Sequence, residues 1–510
     1  MASEWFTAGP MTLPAVTGLC EKIFMIMAKK IGLKIHFDVC TRSFFRWLFL
    51  IAAILPATFP VSAAELNMDL HESWMSLQAE EVPVRKILEQ MAAAGLRVKI
   101  DPAIDFAVTA DFRHRELQSA LEAILKPADH ILVWERLDGP VGPIIRLAEV
   151  QLFQAGQKER IQPLVPETRR ILADPESGSH YVAGELLIRL ADGATLQDFQ
   201  SLIESLNARL VDSQPALGIY RIRVPEEKDL PALSARLAKD SSLDVVEPNY
   251  AYPLIASASI GQNRMPASHA PEDYLSGEGV RIAVLDSGVS LDARLAEVVA
   301  SAFNAVDPEM PATDDLGHGT RMALIASGAI LPSGVRIRQG EQHPVVAVKA
   351  FDDEGFVSAF DFARSIQFAA AEKAKVMSLS WGSSQDSRFL KDALNYADRL
   401  GMIVVAAAGN EPTGAAMYPA AYDTVIGVGA LAPSGKRWDS SNFGEHVSLY
   451  APGFAAYDSN DDGISDEAFA GTSVSTAFVS HLIAGILTRR PEATPKQVLE
   501  ELTAILPSSQ

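Results

Sequence analysis

From Gly279 onward the chain alternates short, wholly apolar runs with helical stretches, and this alternation limits the fold more than any other feature. Runs such as Ile403-Val404-Val405-Ala406 have no polar face, as parallel strands covered by helices on both sides require. Strands are expected at 280–285, 345–350, 376–380, 402–408 and 425–429, with helices at 318–327, 359–371 and 387–400. The implied fold class is α/β, a parallel sheet flanked by helices. Sites in such sheets form beyond the carboxyl ends of the strands.

Several candidate residues fall there. Asp286 follows an apolar run in Leu285-Asp286-Ser287-Gly288, and His318 opens a helix in Asp315-Leu316-Gly317-His318-Gly319-Thr320. Asn410 closes Ala406-Ala407-Ala408-Gly409-Asn410, and Ser473 opens a long helix in Gly471-Thr472-Ser473. Singly, each has an ordinary explanation: Asp and Asn make turns, a helix-initial Ser caps, and a lone His is structural. A carboxylate at the end of a buried strand nevertheless costs desolvation unless it is paired.

In this order and setting the four motifs resemble the subtilisin family of serine proteases over nearly all of 279–506. The order Asp, His, Ser is that of the subtilisins themselves. The resemblance implies a serine endopeptidase acting on polypeptides through an acyl-enzyme. Ser473 would attack, and His318 would take and return the proton. Asp286 would hold the imidazole tautomer, while the Asn410 amide and the Ser473 backbone N–H would meet the oxyanion. Ser380-Trp381-Gly382 and Ala406-Ala407-Ala408-Gly409 match the segments that wall the family's specificity pocket. They carry no acidic side chain, so an apolar or broad preference is expected. The chemistry requires no cofactor.

The nucleophile helix departs from the family. Relatives commonly read Gly-Thr-Ser-Met-Ala-Ala-Pro-His-Val-Ala-Gly, whereas this chain has Ala477 and Phe478 for the Pro and His, and His481 for the final Gly. Arg321-Met322-Ala323-Leu324 likewise replaces His-Val-Ala-Gly after His318-Gly319-Thr320. An alternative reading is therefore a catalytically weak or silent subtilisin-like binding domain. The acidic run 458–466 matches the first half of a calcium loop, with Asp458, Asn460, Asp462 and Asp466 as oxygen donors. Phe469 stands where its last Glu belongs, so a solvated acidic hairpin is the other reading.

Two small α+β segments are expected ahead of a catalytic domain at 260–507. Residues 184–252 look like the propeptide of subtilisin-like proteases, whose last strand often ends as Glu247-Pro248-Asn249-Tyr250 does here. That resemblance implies an intramolecular inhibitor whose tail, flexible and small in 253–259, enters the cleft as a substrate would. Residues 66–154 carry Val82-Pro83-Val84-Arg85-Lys86-Ile87-Leu88 and Phe112-Arg113-His114-Arg115-Glu116-Leu117. Their spacing resembles the small N-terminal domain of secretins and outer-membrane receptors. It implies a docking or spacer module with a cell-envelope partner, in which the main function of the chain could instead lie.

Residues 1–64 read as a presequence. Arg42 and Arg46 precede the apolar run 47–55, followed by Val61-Ser62-Ala63-Ala64, the layout of a secretory signal. The run is short for a membrane span, although an uncleaved anchor is the alternative, and Met25 or Met27 are alternative starts. Export to the periplasm or the extracellular space follows. Cys20 and Cys40 both precede the expected cut, so the mature chain would carry no disulfide. A net charge of -20 argues against nucleic acid as a partner.

Overall fold

The computed structural model describes residues 66–510 except 72, 140–141, 165–168, 226–228, 260–273, 277–278, 292–294, 336–339, 458–466 and 507–510. The presequence and the acidic loop with Asp458, Asn460, Asp462 and Asp466 lie outside the described residues.

The apolar runs assemble into a seven-stranded sheet. Its order is Val299–Asn304, Val345–Lys349, Ile282–Asp286, Val376–Leu379, Ile403–Ala407, Val425–Leu431 and Leu449–Pro452, every neighbour parallel. Side chains alternate between two cores. Ile282, Val284, Val345, Ala347, Ile403 and Val405 face the helices His318–Ser327 and Thr472–Arg489. Ala283, Leu285, Val346, Val348, Val404 and Ala406 face Ala359–Ala371 and Arg388–Arg399. Burying each large aliphatic side chain contributes roughly 1.5–3 kcal/mol, which explains why both faces had to be apolar. The two edge strands, Val299–Asn304 and Leu449–Pro452, were not among those expected. Leu449–Pro452 alternates buried with part-exposed residues and Val299–Asn304 part-exposed with exposed ones, so both lack the continuous apolar signature.

Ahead of this unit, His180–Leu190, Leu196–Leu206, Arg209–Gln214, Ile219–Arg223, Leu230–Leu237 and Leu243–Pro253 follow one another as βαββαβ. The four strands form an antiparallel sheet with both helices packed in one core. Strand Phe356–Ser358 of the catalytic half extends that sheet, pairing Ala251 with Ser358 and Pro253 with Phe356.

Within 66–164, helix Val84–Ala93 buries Val84, Ile87, Leu88 and Met91, and helix Leu117–Leu125 buries Leu117, Ala120, Leu121 and Ile124. The strands Leu66–Leu70, Trp74–Pro83 and Ala107–Glu116 were not read from the sequence, and they form a sheet of their own. Ala107–Glu116 is mostly exposed, so its sequence carries little apolar pattern. This segment joins the next through Arg146, which donates to the Leu210 carbonyl at 3.1 Å, and Arg209, which donates to the Leu147 carbonyl at 2.9 Å. Among the described residues no helix is long and apolar enough to cross a membrane.

Candidate active site

Asp286 is the last residue of its strand, 1% exposed. Its Oδ1 accepts the Ser287 backbone N–H at 2.8 Å and lies 2.8 Å from His318 Nδ1. The helix that carries His318 is held against this strand end by a polar clamp. Ser287 Oγ donates to Asp314 Oδ1 at 2.7 Å and accepts the Gly319 N–H at 2.8 Å. Asp314 also accepts the N–H groups of Gly317 and Thr320. Burial alone would raise the Asp314 carboxyl, but these donors hold it below the usual carboxylate range. Gly319 permits the approach, because a Cβ there would stand 2.3 Å from the Gly288 carbonyl. Asp314 and Ser287 escaped the sequence reading because both belong to ordinary turn motifs.

Ser473 is fully buried in the first turn of its helix. Asn410 is brought beside it by Thr472, whose N–H and Oγ1 both donate to Asn410 Oδ1 at 2.9 Å. That leaves the Asn410 amide nitrogen facing the cleft, where it donates to the Ala256 carbonyl at 3.0 Å. His318, whose Nε2 lies 3.3 Å from Ser257 Oγ, and Ser473, whose Oγ donates to the Ile255 carbonyl at 3.2 Å, meet the same short stretch of tail, and Asp286 reaches it only through His318. Asn410→Ala is expected to lower kcat about 10²–10³-fold with little change in KM, a magnitude taken over from subtilisin itself. Steady-state kinetics on a chromogenic peptide checks it.

The tail expected to be flexible is seated. The Leu254 N–H donates to the Gly355 carbonyl at 2.9 Å and that of Ile255 to the Ser380 carbonyl at 3.1 Å, while Leu254 bridges antiparallel to Trp381. Trp381 is buried under Tyr252, their rings stacked at 4.9 Å. Gly382 leaves room for the tail, since a Cβ there would lie 3.4 Å from Ile255 Cδ1. Ala406, Ala407 and Ala408 are fully buried, and Gly409 follows them with φ 107°. Met417, absent from the expected site, touches both segments: its side chain would contact a Cβ at Gly382 and one at Gly409.

The Glu-Pro-Asn-Tyr run has a physical role. Glu247 accepts from Ser387 Oγ at 2.7 Å and from the Arg388 N–H at 2.9 Å, so its carboxylate caps the Arg388–Arg399 helix. Asn249 accepts the Phe360 N–H at 3.2 Å, capping the Ala359–Ala371 helix. Its amide donates to Glu185 at 2.7 Å, and Glu185 is also paired with Arg223 at 2.6 Å. Burial would raise Glu185, but Arg221, Arg223 and Arg169 hold it far below the usual range. The last strand therefore gives each helix N-terminus a second acceptor beside its own cap, Ser387 or Ser358.

Residues 277–505 match the family model described as the subtilase family, and 168–249 match that of the fervidolysin N-terminal prodomain. Thermitase of Thermoactinomyces vulgaris is 33% identical over 46% of this chain and 84% of its own length. The chain belongs to the subtilase family. It is a serine endopeptidase of the subtilisin type, made as a proenzyme. A thermostable alkaline protease of Halalkalibacterium halodurans is 28% identical over 52% of this chain and 73% of its own. The crystal structure of fervidolysin from Fervidobacterium pennivorans, described as a keratinolytic enzyme related to subtilisin, shares the fold. Its TM-score is 0.52 at 22% identity, covering 66% of this chain and 59% of that one.

The departures of this subtilase lie in its core. Ala477 and Phe478 are buried in the Ser473 helix, facing the sheet cluster. His481 fits because its neighbour is Gly328, with φ 83°, where a Cβ would stand 2.5 Å from the imidazole. These replacements repack the interior and leave the Asp286–His318 contact formed.

Proposed function

We propose that Asp286, His318 and Ser473 form the triad of this subtilase, with Asn410 as the side-chain oxyanion donor. The observation that carries this is the tail bound across the site, with the Ala256 carbonyl on the Asn410 amide and His318 Nε2 facing the tail from the other side at 3.3 Å. Ser473 is a weak nucleophile until His318 accepts its proton during attack. Asp286 keeps Nδ1 protonated, so that Nε2 presents its lone pair. Ser380-Trp381-Gly382 binds the substrate backbone, and Ala406-Ala407-Ala408-Gly409 with Met417 limits the side chain taken, favouring a small or medium apolar residue. The silent-domain reading is not favoured, because a pure binder has no need of these groups in register.

The propeptide at 184–252 acts as intramolecular inhibitor, the enzyme is exported, and 66–154 serves as a docking module for a partner in the cell envelope. Calcium in the 458–466 loop would be structural and outside the chemistry. A fluorophosphonate probe tests the central claim. Under conditions that clear the propeptide, labelling is expected on the parent and lost in Ser473→Ala. Equal labelling of both proteins would sink the assignment.

A further inference from the structure

Asn410 stands in a stretch, 408–417, that is neither helix nor strand, and residues 411–413 and 415–416 of it are exposed. A displacement of about 1 Å at a catalytic group can cost 10²-fold in rate, so such a loop needs bracing. Thr472 holds Asn410 itself from the Ser473 helix. Asn442, fully buried, holds the rest. Its backbone N–H donates to the Gly409 carbonyl at 2.9 Å. Its side-chain nitrogen donates to the Ala408 and Ala415 carbonyls, each at 3.0 Å, and its Oδ1 accepts the Gly414 N–H at 2.9 Å. Two carbonyls and His446 Nε2, 3.2 Å away, surround one end of the amide, and an N–H meets the other, so its partners fix its orientation. One side chain thus ties the residues just before Asn410 to those after it and closes 408–415 into an arch. Asn442 is anchored in turn: Ser441 Oγ accepts the Ala430 N–H of the sheet at 2.9 Å and donates to the Asn442 carbonyl at 3.0 Å.

We propose that Asn442 is a positioning residue for catalysis: by closing this arch it holds the Asn410 amide nitrogen where the oxyanion forms. This rests on the role assigned to Asn410 above. A donor stabilises developing charge fully only when it is in place before the charge appears, with no reorganisation left to make. Without the Asn442 side chain, the Ala408 and Ala415 carbonyls and the Gly414 N–H lose their common partner. Asn410 then keeps Thr472 but loses the frame on either side of it, and its amide spends less time aimed into the cleft. The effect of Asn442 on the chemistry therefore runs through Asn410.

The experiment is a double-mutant cycle between Asn442→Ala and Asn410→Ala, read by steady-state kinetics on a chromogenic peptide. Each protein is made as the full chain and cleared of its propeptide, and rates are expressed per fluorophosphonate-labelled serine, so that unfolded protein does not count. Asn442→Ala is expected to lower kcat about tenfold or more, part of the roughly 10²–10³-fold that the donor is worth, with KM changed less. In the Asn410→Ala background the same substitution should change kcat less than about twofold, because no donor is left to place. Equal losses in the two backgrounds would make Asn442 a structural residue and overturn the proposal. So would an unchanged kcat in the single variant. Asn442→Asp, equal in size and keeping the acceptor for the Gly414 N–H, goes through the same cycle under the same criteria, which covers poor folding of Asn442→Ala. An unchanged kcat in Asn410→Ala alone would instead overturn the role of Asn410, and absence of labelling in the parent would overturn the triad.

Discussion

Asp286→Asn is expected to lower kcat about 10⁴-fold, the size known for subtilisin-type and trypsin-type triads that lose this carboxylate. The cause is the lost negative charge. Asp286 Oδ1 already accepts from the Ser287 N–H and faces His318 Nδ1, each at 2.8 Å. An asparagine can keep its oxygen on both of these groups, with a neutral amide nitrogen at the Oδ2 position. His318 then loses the carboxylate that stabilises its imidazolium as it takes the Ser473 proton. The loss corresponds to about 5.5 kcal/mol of transition-state stabilisation. The fold should persist, because the buried side chain keeps its volume. Kinetics on a peptide substrate, with circular dichroism as control, checks this. A loss below tenfold would make the Asp286–His318 contact structural only.

Acidification should produce the second large effect. His343 and His481 are 1% and 5% exposed, with ring centroids 5.1 Å apart. Burial pushes His481 down to about 4, and burial together with the neighbouring His481 and Arg489 pushes His343 down to about 3. Both are therefore held neutral in the fold, while in the unfolded chain they protonate near 6.5. The sign follows from linkage: the unfolded state binds these protons first, so stability is full above pH 6.5 and falls as pH drops toward 4. One unit is worth about 1.4 kcal/mol, so His481 alone removes roughly 3 kcal/mol across that window.

The position of the pair makes this a matter of function. The His343 N–H donates to the Ser327 carbonyl at the end of the His318 helix, and His481 rides on the Ser473 helix against Gly328. Charging the pair pushes apart the His318 and Ser473 helices. Denaturant melts of the Ser473→Ala protein, which does not digest itself, should weaken steeply from pH 6.5 to 4. His481→Gln, which cannot titrate, should flatten that dependence even if it lowers stability at neutral pH. An unchanged pH slope would show that the pair is not the acid-sensitive element.

Much of the catalytic half is legible residue by residue. Val345–Lys349, Val376–Leu379 and Ile403–Ala407 are apolar on both faces, and only a helix-covered parallel sheet hides both. Asp286, His318, Asn410 and Ser473 sit at strand ends and helix starts, where local chain signals are strong. Elements with one wet face, such as Ala107–Glu116 and Leu449–Pro452, left weaker traces.

By itself, then, the sequence determined the five inner strands, the helices that flank them and the candidates for the chemistry, because burial on both faces and turn-forming motifs are local properties of the chain. Only the tertiary structure decided what those groups face. That Ser287 and Asp314 clamp the His318 helix, and that Thr472 turns Asn410 toward the cleft, depends on contacts between segments far apart in the chain. So does the placing of the Ala256 carbonyl on Asn410 and of Ser257 beside His318. Hydrogen bonds of this kind require distances of about 3 Å, and no periodicity in a sequence encodes a distance between residues so widely separated.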